Sequence, residues 1–369
     1  MKKILCITLI FALCAVSLPC FAVDISAHSA ILIDAQYGNI IFEKNASQRL
    51  TMASTTKIMT AICAIEEGNM DEEVKIAPEA VGVEGSSIYL TGSENLTLRE
   101  LVYGLMLNSG NDAAVAIACA VSGSVEKFAS LMNSKAEEIG VKNSSFRNPN
   151  GLDEEGHYTT AHDLALIAAY AMKNKEFRKI ASTYQTTIGE GEEIRYLTNH
   201  NKLLKRMDGC IGVKTGFTKK SGRCLVSACE RDGVTLVAVT LNAPDDWNDH
   251  MNMMDYGFGL VESKGVTQAG EPLGTVTIKN GTAPVTGIIC RSSFAVPAVD
   301  GVRYVSVFRA PRAVEAPVSA GDTLGKVEVY MDDKLIASLP AVASDSVPVD
   351  KSRSMGTTMK KLFTAFVRK

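Results

Sequence analysis

The chain has 369 residues, 46% of them hydrophobic, which supplies one large folded domain plus a smaller one and excludes a disordered polymer. Its formal net charge is −3, and loss of Lys2 and Lys3 with the leader described next leaves −5, so no basic field for nucleic acid exists and none is expected as a partner. The leader is residues 1–22: Met1-Lys2-Lys3, an apolar run from Ile4 to Leu18, then Pro19-Cys20-Phe21-Ala22. That is the order of a secretory signal cleaved after Ala22, and its apolar run is shorter than the ~20 residues a membrane span needs. The mature protein is therefore expected outside the cytoplasm.

Ala30 to Asp34 and Ile40 to Glu43 flank Gln36-Tyr37-Gly38-Asn39, a hairpin of two short strands. Ser54 to Ile65 is apolar on nearly every face, the pattern of a helix buried inside a domain. Thr97-Leu98-Arg99-Glu100 is a capping box opening a helix to about Leu107, and Asp112 to Val121 forms the next helix after a Ser-Gly-Asn break. Further helices are expected over Val125 to Ile139 and Ala161 to Lys173. The period then changes: Gly209 to Gly216, Gly222 to Glu230 and Val234 to Asn242 read as strands, the last two joined by Arg231-Asp232-Gly233, and a helix from about Trp247 to Leu260 closes the unit. From Gly265 to about Val347 the composition shifts to Val, Thr, Gly and Pro in short alternating runs, the mark of a small β domain. The fold class expected is α+β over residues 23–262, an all-β domain over 263–347, and a linker with a tail over 348–369.

Of nine cysteines, Cys6, Cys14 and Cys20 leave with the signal. Among the six that remain, Cys63 and Cys119 lie in apolar helical stretches, while Cys224 and Cys229 stand five apart in a strand and so face opposite sides. Those two can neither pair nor share a metal. No C-x-x-C or H-E-x-x-H spacing occurs and the five histidines do not cluster, so buried free thiols are favoured and no metal or cofactor is expected. His157 and His162, five apart, are read as structural.

Ser54-Thr55-Thr56-Lys57 sets a hydroxyl and an amine three residues apart at the start of the buried helix, pointing to one spot. The alternative, an N-capping serine followed by a solvated lysine, fails because Ile58 to Ile65 leaves no polar face on which Lys57 could be solvated. A lysine held dry loses proton affinity and can take the proton of Ser54. Ser109-Gly110-Asn111 between two helices and Lys214-Thr215-Gly216 on a strand complete a set of three signals in fixed order.

On these motifs, with Leu107 to Ala114, Asn148 to Asp153 and Thr159 to Leu164, the sequence resembles the low-molecular-weight D-alanyl-D-alanine carboxypeptidases, serine peptidases of the penicillin-binding protein and β-lactamase superfamily. The resemblance spans roughly Ile25 to Leu260, with a looser match in the β domain. It implies a transpeptidase-like antiparallel sheet with a helical cluster. It also implies removal of the terminal D-alanine from peptidoglycan stem peptides ending in D-Ala-D-Ala, with β-lactam antibiotics as covalent inhibitors. By the same resemblance Ser54 is the nucleophile, Lys57 its general base and Ser109 the proton relay to the leaving group. Asn111 holds the peptide amide, Lys214 keeps the site positive, Thr215 binds the terminal carboxylate, and Gly216 and Phe217 continue that strand, the Phe217 N–H joining that of Ser54 in the oxyanion hole. Related enzymes often place an arginine near Pro244 to Trp247, yet none occurs between Arg231 and Arg291, so Lys214 and Thr215 are expected to read the carboxylate alone.

A serine β-lactamase would share these residues, but the Glu-x-x-Leu-Asn string used for deacylation in one class is absent between Asn111 and Lys214. A non-catalytic wall-binding module is disfavoured by the intact serine and lysine motifs. In the tail, Met359, Leu362, Phe363 and Phe366 recur at helical spacing beside Lys360, Lys361, Arg368 and Lys369, with no acid among residues 355–369. A helix there would lie in the interface of an anionic membrane, and the resemblance favours the same anchor on the outer face of the cytoplasmic membrane; a frayed basic tail is the plainer alternative.

Overall fold

A computed structural model describes residues 23–351 except Asp300; the signal expected at 1–22 and the tail helix expected within 355–369 lie outside the described residues. Strand β1 (Ser29–Asp34) runs into β2 (Ile40–Lys44), the hairpin expected from its turn residues. A 3-10 turn (Ala53–Thr56) leads into α1 (Lys57–Glu67), then β3 (Glu73–Lys75) and β4 (Asn95–Thr97) form a short ribbon. Helices α2 (Leu98–Leu107), α3 (Asn111–Ser122), α4 (Val125–Ile139), α5 (Ala161–Lys173) and α6 (Lys175–Ser182) follow. The Thr97 and Glu100 side chains close the capping box of α2 reciprocally. A second ribbon, β5 (Gln185–Ile188) with β6 (Arg195–Thr198), and the single turn α7 (Leu203–Arg206) lead to β7 (Cys210–Thr218), β8 (Gly222–Arg231), β9 (Val234–Leu241) and α8 (Asp246–Leu260).

The main sheet has the order β2-β1-β9-β8-β7, antiparallel throughout, with β7 at its edge. Both faces are covered, so alternate residues enter different cores. Ile31, Ile33, Cys224, Val226, Val237 and Val239 pack against the helices, while Leu32, Leu225, Cys229, Leu236 and Ala238 pack with Met253 and Met254 of α8. Cys224 and Cys229 therefore do lie on opposite faces, and all six described cysteines are unbridged. Helix α1 crosses the helical core with Lys57 to Ala64 all buried.

The expected helix from Ser54 begins instead as the 3-10 turn. The Thr55 and Thr56 hydroxyls bond back to the carbonyls of Met52 and Ala53 at 2.6 and 2.9 Å, and Ala53 takes a left-handed φ of 47°.

Beyond α8 the chain is all β: β10 (Glu262–Thr267), β11 (Pro272–Lys279), β12 (Val285–Cys290), β13 (Phe294–Ala298), β14 (Tyr304–Arg309), β15 (Ala313–Glu315), β16 (Thr323–Met331) and β17 (Lys334–Ala343). β10 pairs with β13, and the others form a sheet in the order β14-β16-β17-β12-β11-β15. This unit meets the β1–β2 turn through Asn39 Nδ2, 3.5 Å from Met331 Sδ, and through the Tyr37 and Tyr304 rings, 6.5 Å apart. The protein is α+β with an all-β C-terminal domain, and among the described residues no single helix is long and apolar enough to cross a membrane.

Candidate active site

The buried end of α1, the α2–α3 turn and the edge strand β7 converge on Ser54. Lys57 Nζ lies 2.8 Å from Ser54 Oγ, 2.7 Å from Asn111 Oδ1 and 2.6 Å from the carbonyl oxygen of Asn150. Two of these partners only accept, so a neutral Lys57 amine donates its two hydrogens to Asn111 and Asn150 and turns its lone pair to the Ser54 hydroxyl. Lys57 is fully buried, and its proton affinity falls well below that of an ordinary lysine because burial disfavours the ammonium. The neighbouring charge of Lys214 pushes in the same direction, and Asp112 opposes it. Lys214, also buried, is lowered by desolvation to about 7, and its Nζ reaches the carbonyl of Thr215 at 3.1 Å. The site thus holds two buried lysines whose proton affinity is lowered.

Ser109 is placed by the chain itself. It is buried with φ 60°, in the turn that ends α2, two residues before the Asn111 that holds Lys57. A non-glycine residue in this region is strained and persists where the surroundings fix it. Asn111 is fixed by its Nδ2, which donates to the carbonyl of Glu84 at 2.5 Å, while Asp112 accepts from the amides of Ile88 and Leu90 and from the Ser87 hydroxyl. Residues 84–90 are thereby tied over the start of α3.

On the other side, β7 passes so near the nucleophile that a Cβ on Gly216 would stand 3.0 Å from Ser54 N and 3.1 Å from Thr55 N. Only glycine fits without a shift, so the backbone of β7 runs directly against the Ser54 turn. Thr215 and Phe217 flank Gly216; Thr215 is half-buried and the Phe217 ring is 65% exposed.

The hydrogen bonds join Ser54, Lys57 and Asn111 directly, charge couples Lys214 to Lys57, and Gly216 adjoins Ser54 by backbone approach. Four contributors carry no sequence signal for these roles. The Asn150 carbonyl belongs to a loop built by Asn148, whose Oδ1 accepts from the Gly151 amide at 2.8 Å, and by the Thr60 hydroxyl donating to the Pro149 carbonyl at 2.6 Å. His157 accepts from the Arg147 amide at Nδ1, which leaves Nε2–H to donate to Thr56 Oγ1 at 2.8 Å; Thr56 in turn donates to the Ala53 carbonyl. Burial lowers His157 to about 4, so it stays neutral and acts as a strut under the Ser54 turn. His200 is lowered by burial and by the charge of Lys214. His162 lies apart, half-exposed beside Asp163. A guanidinium also reaches the place where the sequence has no arginine of its own: Arg223, facing Phe217 across β7 and β8, lies 2.7 Å from Asp246 and over the Trp247 ring.

A family model described as D-alanyl-D-alanine carboxypeptidase matches residues 15–245, and one described as penicillin-binding protein 5, C-terminal domain, matches residues 262–349. The D-alanyl-D-alanine carboxypeptidase DacF of Bacillus subtilis is 32% identical over 333 residues, covering 87% of this chain and 86% of that protein. Penicillin-binding protein 5 of Haemophilus influenzae superposes with a TM-score of 0.64 at 27% identity, covering 88% of this chain and 98% of that one. A DD-transpeptidase of Streptomyces K15, solved as a mutant, covers 64% of this chain and 99% of its own at TM-score 0.61 and 33% identity.

Proposed function

The chain belongs to the D-alanyl-D-alanine carboxypeptidase family, a serine peptidase that removes the terminal D-alanine of cell-wall peptides, and from that premise we propose that it works through an acyl-enzyme on Ser54. The observation that carries this reading is the set of partners around Lys57, two acceptors and one hydroxyl, which aims the lone pair of a neutral amine at Ser54 Oγ. Ser54 Oγ attacks the carbonyl between the two D-alanines as its proton passes to Lys57. The oxyanion gathers the backbone N–H groups of Ser54 and Phe217, a donor pair of which each member is worth ~10² to 10³ in rate. Ser109 hands the proton to the departing D-alanine nitrogen, the peptide bond breaks, and water then cleaves the ester and restores Ser54. Asn111 holds the substrate amide and Lys57 together, and Lys214 keeps the field positive. Thr215 takes the substrate carboxylate, with Lys214 and the guanidinium of Arg223 supplying its counter-charge.

The partners in this reading are peptidoglycan stem peptides ending in D-Ala-D-Ala, with β-lactams as covalent inhibitors. Residues 1–22 direct export and are cut off, and residues 355–369 hold the enzyme to an anionic membrane surface from outside. Mass spectrometry of a pentapeptide muropeptide incubated with the mature protein tests the reaction: loss of one alanine by the wild type, none by Ser54→Ala, is expected. Equal loss by both would assign the nucleophile elsewhere. Arg223→Ala should raise KM for a D-Ala-D-Ala peptide about tenfold with kcat little changed, as expected for a ground-state carboxylate contact; an unchanged KM removes Arg223 from the site.

A further inference from the structure

Among the six described cysteines two stand in register. Cys210, the first residue of β7, faces Cys229 of β8. Facing residues of an antiparallel pair have Cα atoms about 4.5 to 5.5 Å apart and side chains on the same side, inside the window of about 4.4 to 6.8 Å that a disulfide spans. Cys210 turns its amide to the Met207 carbonyl at 3.3 Å, while the next pair outward keeps a ladder bond from Glu230 N to the Gly209 carbonyl at 2.8 Å. The strands are thus held together directly beside the two sulfurs. Both thiols belong to the core under α8, Cys229 wholly buried and Cys210 only partly, so a solvent-borne reagent meets Cys210 first.

From this register and this asymmetry of access we propose that Cys210 and Cys229 are an oxidation site, closed to a cross-strand disulfide by thiol–disulfide exchange with a small-molecule or protein disulfide. The Cys210 thiolate attacks one sulfur of the exchange disulfide, forming a mixed disulfide and releasing one thiolate. Cys229 attacks the Cys210 sulfur of that intermediate, its proton leaves to the solvent or the departing sulfur, and a second thiol departs. Two protein thiols are oxidised and one external disulfide becomes two thiols. The order of attack agrees with the local chemistry: Cys210 Sγ lies 3.4 Å from the Gly212 carbonyl and Cys229 Sγ 3.1 Å from Met207 Sδ, the neighbouring Cys229 thiol holds Cys210 below the usual thiol range, and Cys229, raised by the same neighbour and by burial, keeps its proton. The other buried thiols lack this arrangement; burial pushes Cys63 up to about 12 and Cys224 up to about 11. The bond would staple the start of the strand that carries Lys214, Thr215 and Gly216 without asking that strand to move.

The experiment treats the purified full-length mature protein with oxidised glutathione and compares it with the dithiothreitol-reduced form. Expected are loss of two hydrogen atoms from the intact mass, a linked Cys210–Cys229 peptide in a nonreducing digest, and an unfolding midpoint raised by several degrees, as closure of a short loop predicts. The penicillin acylation rate should stay within about twofold, because the two residues already stand in register across the paired strands. Cys210→Ser and Cys229→Ala should each abolish the mass change, while Cys119→Ser keeps it. A linked peptide that joins other cysteines, a Cys210→Ser variant that still loses two hydrogens, or Cys210 and Cys229 thiols that remain alkylatable after oxidation would each overturn the assignment. An acylation rate changed tenfold or more would reject a bond that closes without moving the strand carrying Lys214.

Discussion

Gly151 supports the nucleophile from below, and Gly151→Ala measures how tightly. A Cβ there would stand 2.0 Å from the Ala53 carbonyl oxygen, where real Cβ contacts are essentially never under 3.0 Å, so the Ser54 turn or the 148–152 loop must move by about 1 Å. Backbone strain adds to this, since Gly151 has φ +88°, a left-handed conformation that costs an L residue roughly 1–2 kcal/mol. A misplacement of about 1 Å at a reacting group costs ~10² in rate. Gly233→Ala is the control, because its φ is +79° yet nothing lies within 4 Å of its added Cβ. It should lower stability by about the same 1–2 kcal/mol and leave the chemistry alone. Stopped-flow acylation by a fluorescent penicillin, alongside urea unfolding of both variants, separates the two effects. Gly151→Ala should acylate about a hundredfold more slowly while still unfolding cooperatively, and Gly233→Ala should acylate at the wild-type rate. If a cooperatively folded Gly151→Ala acylates within threefold of wild type, the loop is not the floor of the site.

Ser54→Ala should retain the fold and lose covalent penicillin labelling, whereas Lys57→Ala and Lys214→Ala should each acylate at least about a hundredfold more slowly in the same assay. The buried neutral His157, lowered to about 4 in the folded chain against ~6.5 unfolded, is protonated preferentially in the unfolded state between those values, so stability is lost as pH falls from 6.5 toward 4. His157→Gln should flatten that slope in denaturant titrations, and an unchanged slope would mean that the ring is not held neutral. The mature protein should sediment with anionic liposomes and a chain lacking residues 355–369 should not, with labelling unchanged; equal partitioning would reject the anchor.

What the sequence made legible follows from its side chains. The dryness of Lys57 could be read because Ile58 to Ile65 offers no polar surface, and burial of the whole stretch from Lys57 to Ala64 bears this out. The two-faced packing of Cys224 and Cys229 could be read because strands alternate strictly. Asn150 acts through its carbonyl, a group every residue carries, so no residue pattern announces it. The 3-10 start of the nucleophile segment arises from two threonine hydroxyls competing for backbone acceptors, an effect that hydrophobic periodicity does not register. Helix α6 and the β5–β6 ribbon went unread for a simpler reason: eight residues and two runs of four are too short for a period to emerge. Arg223 carries no sequence signal because it approaches Trp247 from a strand twenty-four residues earlier in the chain.

The C-terminal sheet touches the catalytic domain at one end of its long hairpin and lets go of the chain at the other. Tyr304 and Met331, paired with each other, meet Tyr37 and Asn39, while Val347 and Val349 leave beside Val318 and Gly281, past the Thr323 end of β16. β16 has nine residues, and at about 3.3 Å per residue the two ends stand roughly 30 Å apart. In the proposed arrangement, with the tail fixed to a surface, that hairpin would be a stilt setting the altitude at which the cleft meets a polymer mesh. Shortening it by whole residue pairs would tune which layer of substrate is within reach, with no change to the chemistry.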